Sequence, residues 1–209
     1  MSDNTDFLIE KLVASHRAVT PLKVKPLLLL ALLMIAGCAL IILMPLGLRA
    51  DWHAAALLKS AALLTLTMAS LKLTLVVSRP EQPSWQNSWS LFLLLLCAGV
   101  LFIAFTALGM ELSIEEAMQV GSFWACVSWV GGVGVVAVLI LQRLLRRARP
   151  GQRSSLRLAV PLCAALLAAT VYSLHCPVDA LVYLATAYLL AASIVVAFGW
   201  LLSRRLWRW

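Results

Sequence analysis

The 209 residues are 63% hydrophobic and 12% charged, far from the roughly half apolar and quarter charged make-up of a soluble domain, so water is excluded as the solvent for most of the chain. A net charge of +8 would suggest nucleic acid in a soluble protein. Here the basic residues stand between apolar runs, where they set topology against anionic headgroups, and no direct nucleic-acid partner is expected. Five cysteines, Cys38, Cys97, Cys126, Cys163 and Cys176, include no CxxC pair and are too dispersed for a disulfide framework.

The chain opens with Asp3, Asp6 and Glu10, the wrong charge for the start of a signal peptide. Within this arm, residues 1–25, the apolar pairs Leu8 with Leu12 and Ile9 with Val13 recur at helical spacing. They predict a short amphipathic helix. A helix of two or three turns is marginal alone, so its apolar face needs either the bilayer surface or a groove on a partner protein. Phe7, Leu8, Ile9, Leu12 and Val13 are the candidate partner-binding residues. Pro21 and Pro26 stiffen the way into the first apolar run.

Residues 26–209 form one membrane domain with six predicted spans, near 26–48, 54–78, 88–109, 118–142, 156–174 and 180–203, each long enough to cross. Continuous runs such as Leu27–Leu33 and Leu91–Leu96 argue against a barrel, whose strands alternate. The fold class is therefore an all-α integral membrane protein, a six-helix bundle. In the first span Ile35-Ala36-Gly37-Cys38 looks like a lipoprotein cleavage box, yet the apolar run continues to Leu46 and reads as an uncleaved span. Lys59 and Lys72, inside span two, are expected to snorkel to the nearest headgroups, with a transport role as the alternative. Glu115-Glu116 reads as a solvated loop pair, and Gly131, Gly132 and Gly134 as small residues admitting a neighbouring helix.

Lys and Arg fix the orientation. Fourteen of them, Lys11, Arg17, Lys23, Lys25, Arg79, Arg143, Arg146, Arg147, Arg149, Arg153, Arg157, Arg204, Arg205 and Arg208, fall on one side. The other side holds Arg49 with Asp51, Glu111, Glu115, Glu116 and Asp179. The basic side is expected in the cytoplasm, with both termini inside. Trp85, Trp89, Trp207 and Trp209 suit an aromatic belt at that inner interface.

This topology puts Cys126 roughly 12 Å below the outer start of span four at 1.5 Å per residue, and His175-Cys176 at the outer end of span five. Thiols and imidazole are ligands for soft or borderline metals. Cys126, His175 and Cys176 are candidates for sensing copper, zinc or cadmium, with His53 and Asp179 as possible accessory ligands. In an oxidising compartment the same cysteines form a reversible disulfide instead. The plainer alternative makes Cys126 a packing residue and His175 a cap on span five. No catalytic triad, phosphate loop or buried carboxylate pair can be assembled, so no enzymatic activity and no constitutively bound cofactor are expected. A small metal or solute transporter remains the alternative, although polar partners along the spans are scarce.

The segment Leu174-His175-Cys176-Pro177-Val178-Asp179, a last span, and Arg204-Arg205-Leu206-Trp207-Arg208-Trp209 resemble the C-terminal signature of the NrsF-type membrane anti-sigma factors. So do Leu8-Ile9 and Leu12, Val19-Thr20-Pro21-Leu22, and the single cysteine of span four, Cys126. The resemblance implies a bacterial inner-membrane protein that holds an extracytoplasmic-function sigma factor inactive and releases it under heavy-metal or related stress. It also implies that Cys126 and Cys176 are the sensing pair, with His175 in the same motif. After Asp179 the chain departs from the pattern, with Ala180-Leu181-Val182-Tyr183 in place of a more polar Ser-Pro type of turn.

Overall fold

The computed structural model describes residues 24–78, 114–146 and 153–206, with Phe7, Glu10 and Lys11 from the N-terminal arm. Leu8, Ile9, Leu12 and Val13, the predicted span 88–109 and the four belt tryptophans lie outside the described residues. Phe7, Glu10 and Lys11 are helical and exposed.

All regular structure among the described residues is helical. Helices α1 (Val24–Leu46), α2 (Ala54–Val77), α3 (Ile114–Gln119), α4 (Phe123–Arg146) and α5 (Arg153–Ser173) are followed by α6 (Leu181–Tyr183), a π-helical turn (Leu184–Tyr188) and α7 (Leu189–Leu206). The stretches Ala54–Val77, Phe123–Leu145, Ser155–Ser173 and Leu184–Arg205 are long and apolar enough to cross a membrane, and Leu33–Leu46 is a shorter apolar helical stretch. With lipid on the outside, Leu40, Met44, Leu57, Leu64, Leu189 and Leu201 stay exposed at no hydrophobic cost.

Helix boundaries follow local chemistry. α1 ends where Gly47 takes φ +75° and its N–H returns to the Leu43 carbonyl at 2.8 Å, a left-handed cap that glycine adopts without Cβ strain. The helix at the predicted fourth span, α4, begins at Phe123, later than the predicted 118. The chain turns at Val120-Gly121-Ser122, where the Phe123 N–H bonds the Val120 carbonyl at 2.8 Å. Glu115 and Glu116, expected in a loop, belong to the short helix α3 that precedes this turn.

α5 lies at the centre, packed against α1, α2, α4 and α7, and 67% of its membrane stretch is buried. Its inward positions are small: Ala159, Cys163, Ala164, Ala165, Ala168 and Ala169 are all buried. Small side chains let backbones approach, which is how helices gain dispersion contacts where lipid removes the hydrophobic drive. Of Gly131, Gly132 and Gly134, only Gly134 meets a neighbour among the described residues: a Cβ there would stand 2.7 Å from Val195 Cγ2, while Gly132 is exposed. A closer approach, absent from the sequence reading, is at Gly199, where a Cβ would sit 2.5 Å from Pro161 Cβ. The same Gly199 accepts a bond from buried Gln142 Nε2 at 2.7 Å.

Hydroxyls join α2 to α5. Thr67 and Thr170 touch through their Oγ1 atoms at 2.7 Å, Ser173 donates to Ser60 at 3.2 Å, and Thr74 reaches the Ala159 carbonyl at 3.2 Å. Thr67 and Thr170 also lie 2.8 Å from carbonyls of their own helices. Each hydroxyl has one proton, so one of the pair donates across the seam and the other back into its helix.

Candidate functional site

Three connections meet at one end of the bundle: residues 47–53 between α1 and α2, 120–122 before α4, and 174–180 between α5 and α6. The opposite end carries the described basic residues Arg143, Arg157, Arg204 and Arg205, with Arg204 stacked 3.7 Å over the Trp200 ring.

The loop end is organised by Asp179, whose side chain is 1% exposed. Its Oδ1 accepts from Arg49 Nη1 at 2.8 Å and from Lys59 Nζ at 2.6 Å. Its Oδ2 accepts from Arg49 Nη2 at 2.7 Å and from His53 Nε2 at 2.9 Å. The two cations then spend their remaining donors on backbone. Lys59 Nζ bonds the carbonyls of Cys176 and Val178, both at 2.9 Å. Arg49 bonds the carbonyls of Cys176 at 3.2 Å and Pro177 at 3.1 Å, and its Nε donates to the Asp51 carbonyl. Two cations and one carboxylate, all buried, are thereby fully hydrogen-bonded, the condition under which buried charge is tolerated. His53 is half-exposed, and its Nδ1 lies 3.4 Å from Arg49 Nη2.

This corrects the expectation for Lys59. The side chain does not snorkel; it is 0% exposed and points into the bundle at Asp179. A lysine one to two turns inside a span gains more from a buried carboxylate and two carbonyls than from stretching to the interface. Burial alone would raise the Asp179 pKa, but the hydrogen bonds and charges of Arg49 and Lys59 outweigh it and hold the carboxyl below its ordinary value. The hydrogen bond from Arg49 to Asp179, aided by the carboxylate charge, keeps the guanidinium above its ordinary value despite partial burial.

Beside this cluster lie the two thiols. Cys126, in the first turn of α4, and Cys176, just past α5, are both 0% exposed and both free. Cys126, Cys176, Tyr183 and Tyr188 belong to one buried cluster of side chains. The Tyr188 hydroxyl makes no well-formed hydrogen bond among the described residues. Ser122 and Tyr183 hydroxyls meet at 3.2 Å, and the rings of Phe123 and Tyr183 pack edge to face at 6.1 Å. The π turn explains how two tyrosines five residues apart serve one site: in an α-helix they would point about 140° apart, whereas i→i+5 bonding brings them nearer one face. Thr186, inside that turn, ties its hydroxyl back to the Val182 carbonyl at 2.7 Å.

Of the sequence-predicted site residues, the fold brings Cys126 and Cys176 into one buried environment but turns the others elsewhere. His175 does not cap α5; its Nδ1 contacts the Gly47 carbonyl at 3.1 Å and its ring packs on Tyr172 at 5.8 Å. His53 and Asp179 belong to the Arg49–Lys59 cluster. Among the described residues no three His, Cys, Asp or Glu side chains come together as a metal-holding group. Arg49 and Lys59 as partners of Asp179, and the buried tyrosines Tyr172, Tyr183 and Tyr188, are not foreseen from the sequence. Two signals were available: an intramembrane lysine, and one arginine alone on an otherwise acidic side.

The fold and site together define a helical membrane protein whose buried charge, Arg49, Lys59 and Asp179, gathers at one end of the bundle, with the Cys126 and Cys176 thiols buried in the same core. A family model described as negative regulator of sigma F, NrsF, matches residues 12–209, and the chain belongs to that family. Comparison with curated proteins and with solved structures gives no match.

Proposed function

We propose that the protein is an inner-membrane anti-sigma factor that retains an extracytoplasmic-function sigma factor on the cytoplasmic side and releases it when Cys126 and Cys176 meet a thiophilic metal ion or an oxidant. Membership of a family of negative sigma regulators carries the reading. The basic residues at the end of the bundle away from the cysteines support a cytoplasmic assignment for that end, and hence periplasm-facing thiols, by the positive-inside rule. α2 finishes at the end opposite to the one where α4 begins, which calls for a crossing between them and supports residues 88–109 as the third of six spans. Both termini then lie inside, and Phe7, Leu8, Ile9, Leu12 and Val13 are the face offered to the sigma factor.

Two soft sulfur donors with no third ligand among the described residues suit a thiophilic ion such as copper(I) or cadmium better than zinc, which prefers four ligands. An oxidant would instead remove two electrons and two protons as the thiols close to a disulfide. Either event favours one packing of α4 against α5 over another, and only a difference in sigma affinity between the two packings transmits it. The test is co-purification of a sigma factor with the detergent-solubilised protein, before and after cadmium chloride or diamide. Release from wild type and retention by Cys126→Ser and Cys176→Ser supports the reading; normal release from both variants refutes the sensing assignment. Deleting residues 1–20 should abolish co-purification, and retained binding moves the interface to the arginine-rich connection between α4 and α5.

A further inference from the structure

Lys59 and Arg49 do more than neutralise Asp179: both donate to the carbonyl of Cys176, and between them they also hold the carbonyls of Pro177 and Val178. Three successive peptide units around one thiol are thus fixed by two buried cations from another part of the chain. The connection is reinforced at its margins, where the Arg49 N–H bonds the Leu174 carbonyl at 3.0 Å and His175 contacts Gly47. Among the described residues Cys126 has no such tether; it packs in the buried cluster with Phe123, Tyr183 and Tyr188. The thiols therefore differ in what confines them.

We infer that Lys59 and Arg49, anchored on Asp179, are positioning residues for Cys176: they latch the 174–180 connection closed over its thiol and tie its movement to the start of α2. Cys176 cannot shift without pulling its carbonyl off Lys59 and Arg49. Because these charges are buried, the latch has two discrete conditions, fully bonded or opened to water, rather than a graded series. The inference rests on the reading of Cys176 as a sensing residue, and it adds the device that sets when the thiol can be reached.

The test removes one cation while leaving the other balanced. Lys59→Met keeps the two-pronged Arg49–Asp179 pair and roughly the same side-chain length, but strips a donor from Cys176 and one from Val178. Native membranes are treated with N-ethylmaleimide and the labelling rate of each cysteine is followed by mass spectrometry. Lys59→Met is expected to speed labelling of Cys176 at least tenfold, with Cys126, Cys38 and Cys163 changed less than twofold. An unchanged Cys176 rate overturns the inference, and so does an equal rise at all four cysteines, which is general loosening. Arg49→Met leaves Lys59 and Asp179 balanced and is read in the same way if Lys59→Met does not accumulate. Sigma retention separates this from the proposed function. If wild type never co-purifies a sigma factor, that function falls while the labelling still decides the latch. If wild type releases a sigma factor to cadmium chloride or diamide, Lys59→Met should do so at a concentration at least threefold lower, and an unshifted dose with unshifted labelling removes the latch alone.

Discussion

Replacing Asp179 by asparagine changes one atom's chemistry and almost no volume, and it should be among the most damaging single substitutions in the protein. The carboxylate accepts four contacts, two on each oxygen: Arg49 Nη1 and Lys59 Nζ on Oδ1, Arg49 Nη2 and His53 Nε2 on Oδ2. An amide offers one oxygen, so whichever way it is flipped, two donors face an NH2 group. The buried charge rises at the same time from one uncompensated cation to two. Breaking a buried pair from one side costs about 3–5 kcal/mol, because the partner charge stays desolvated. At roughly 2–4 °C per kcal/mol for a chain of this size, the midpoint of thermal unfolding in detergent should fall by about 6–20 °C. The neighbouring control is Asp51→Asn: Asp51 is exposed and only its backbone carbonyl serves Arg49, so that variant should unfold with wild type. If Asp179→Asn lies within about 1 kcal/mol of wild type, the cluster does not hold this end of the bundle together.

Three further outcomes follow from the packing and from the depressed Asp179 pKa. Gly199→Ala drives a Cβ to 2.5 Å from the Pro161 ring, a rigid neighbour, and should cost about 1–3 kcal/mol in detergent unfolding; Gly132→Ala, at an exposed position with open space around it, should cost nothing and gains helix propensity. Thr67→Val removes the hydroxyl contact with Thr170 and should cost about 0.6 kcal/mol, the usual worth of one polar contact between membrane helices; a loss above about 2 kcal/mol would mean that the hydroxyls of the α2–α5 seam act as a unit. Because the folded Asp179 carboxyl lies below its ordinary value of 3.8, its stabilisation is complete above that value and is lost as pH falls through the lower folded one. The stability gap between wild type and Asp179→Asn should therefore stay constant from pH 8 to 5 and close only below about pH 4; a gap that closes near neutrality would assign the titration to another group.

The spans were legible because hydropathy is an average over many residues and lipid tolerates few exceptions. Predicted boundaries near 54–78 and 156–174 meet helices at Ala54–Val77 and Arg153–Ser173. The fourth span slipped because Met118 and Val120 are apolar enough to extend a hydropathy window, whereas the break is made by the single turn at Val120-Gly121-Ser122. Contact partners were less legible. Gly131, Gly132 and Gly134 are equally small in sequence, but only the face turned toward Val195 decides which of them a neighbour uses. That face depends on how α7 is rotated, and the π turn Leu184–Tyr188 shifts that rotation with no plain sequence mark.

The site divides along the same line. Its thiols, Cys126 and Cys176, are candidates on residue type and on position toward one end of their spans alone, and both are buried in one cluster. Asp179 could not be assigned correctly that way, since its role depends on residues 130 and 120 positions earlier in the chain, Arg49 and Lys59. Considered one at a time, each charge has a comfortable solution: Arg49 in a loop, Asp179 in another, Lys59 stretched toward a headgroup. Only together do they favour burial, because the carboxylate gives each cation a partner and the carbonyls of residues 176–178 take up the donors that remain. Buried charge of this kind adds little net stability over an apolar packing. Its stronger effect is to single out one register of the two loops, since any slip that separates Asp179 from either cation leaves a charge desolvated. That is why the cluster, and not the surrounding alanine packing, fixes where the Cys176 thiol sits.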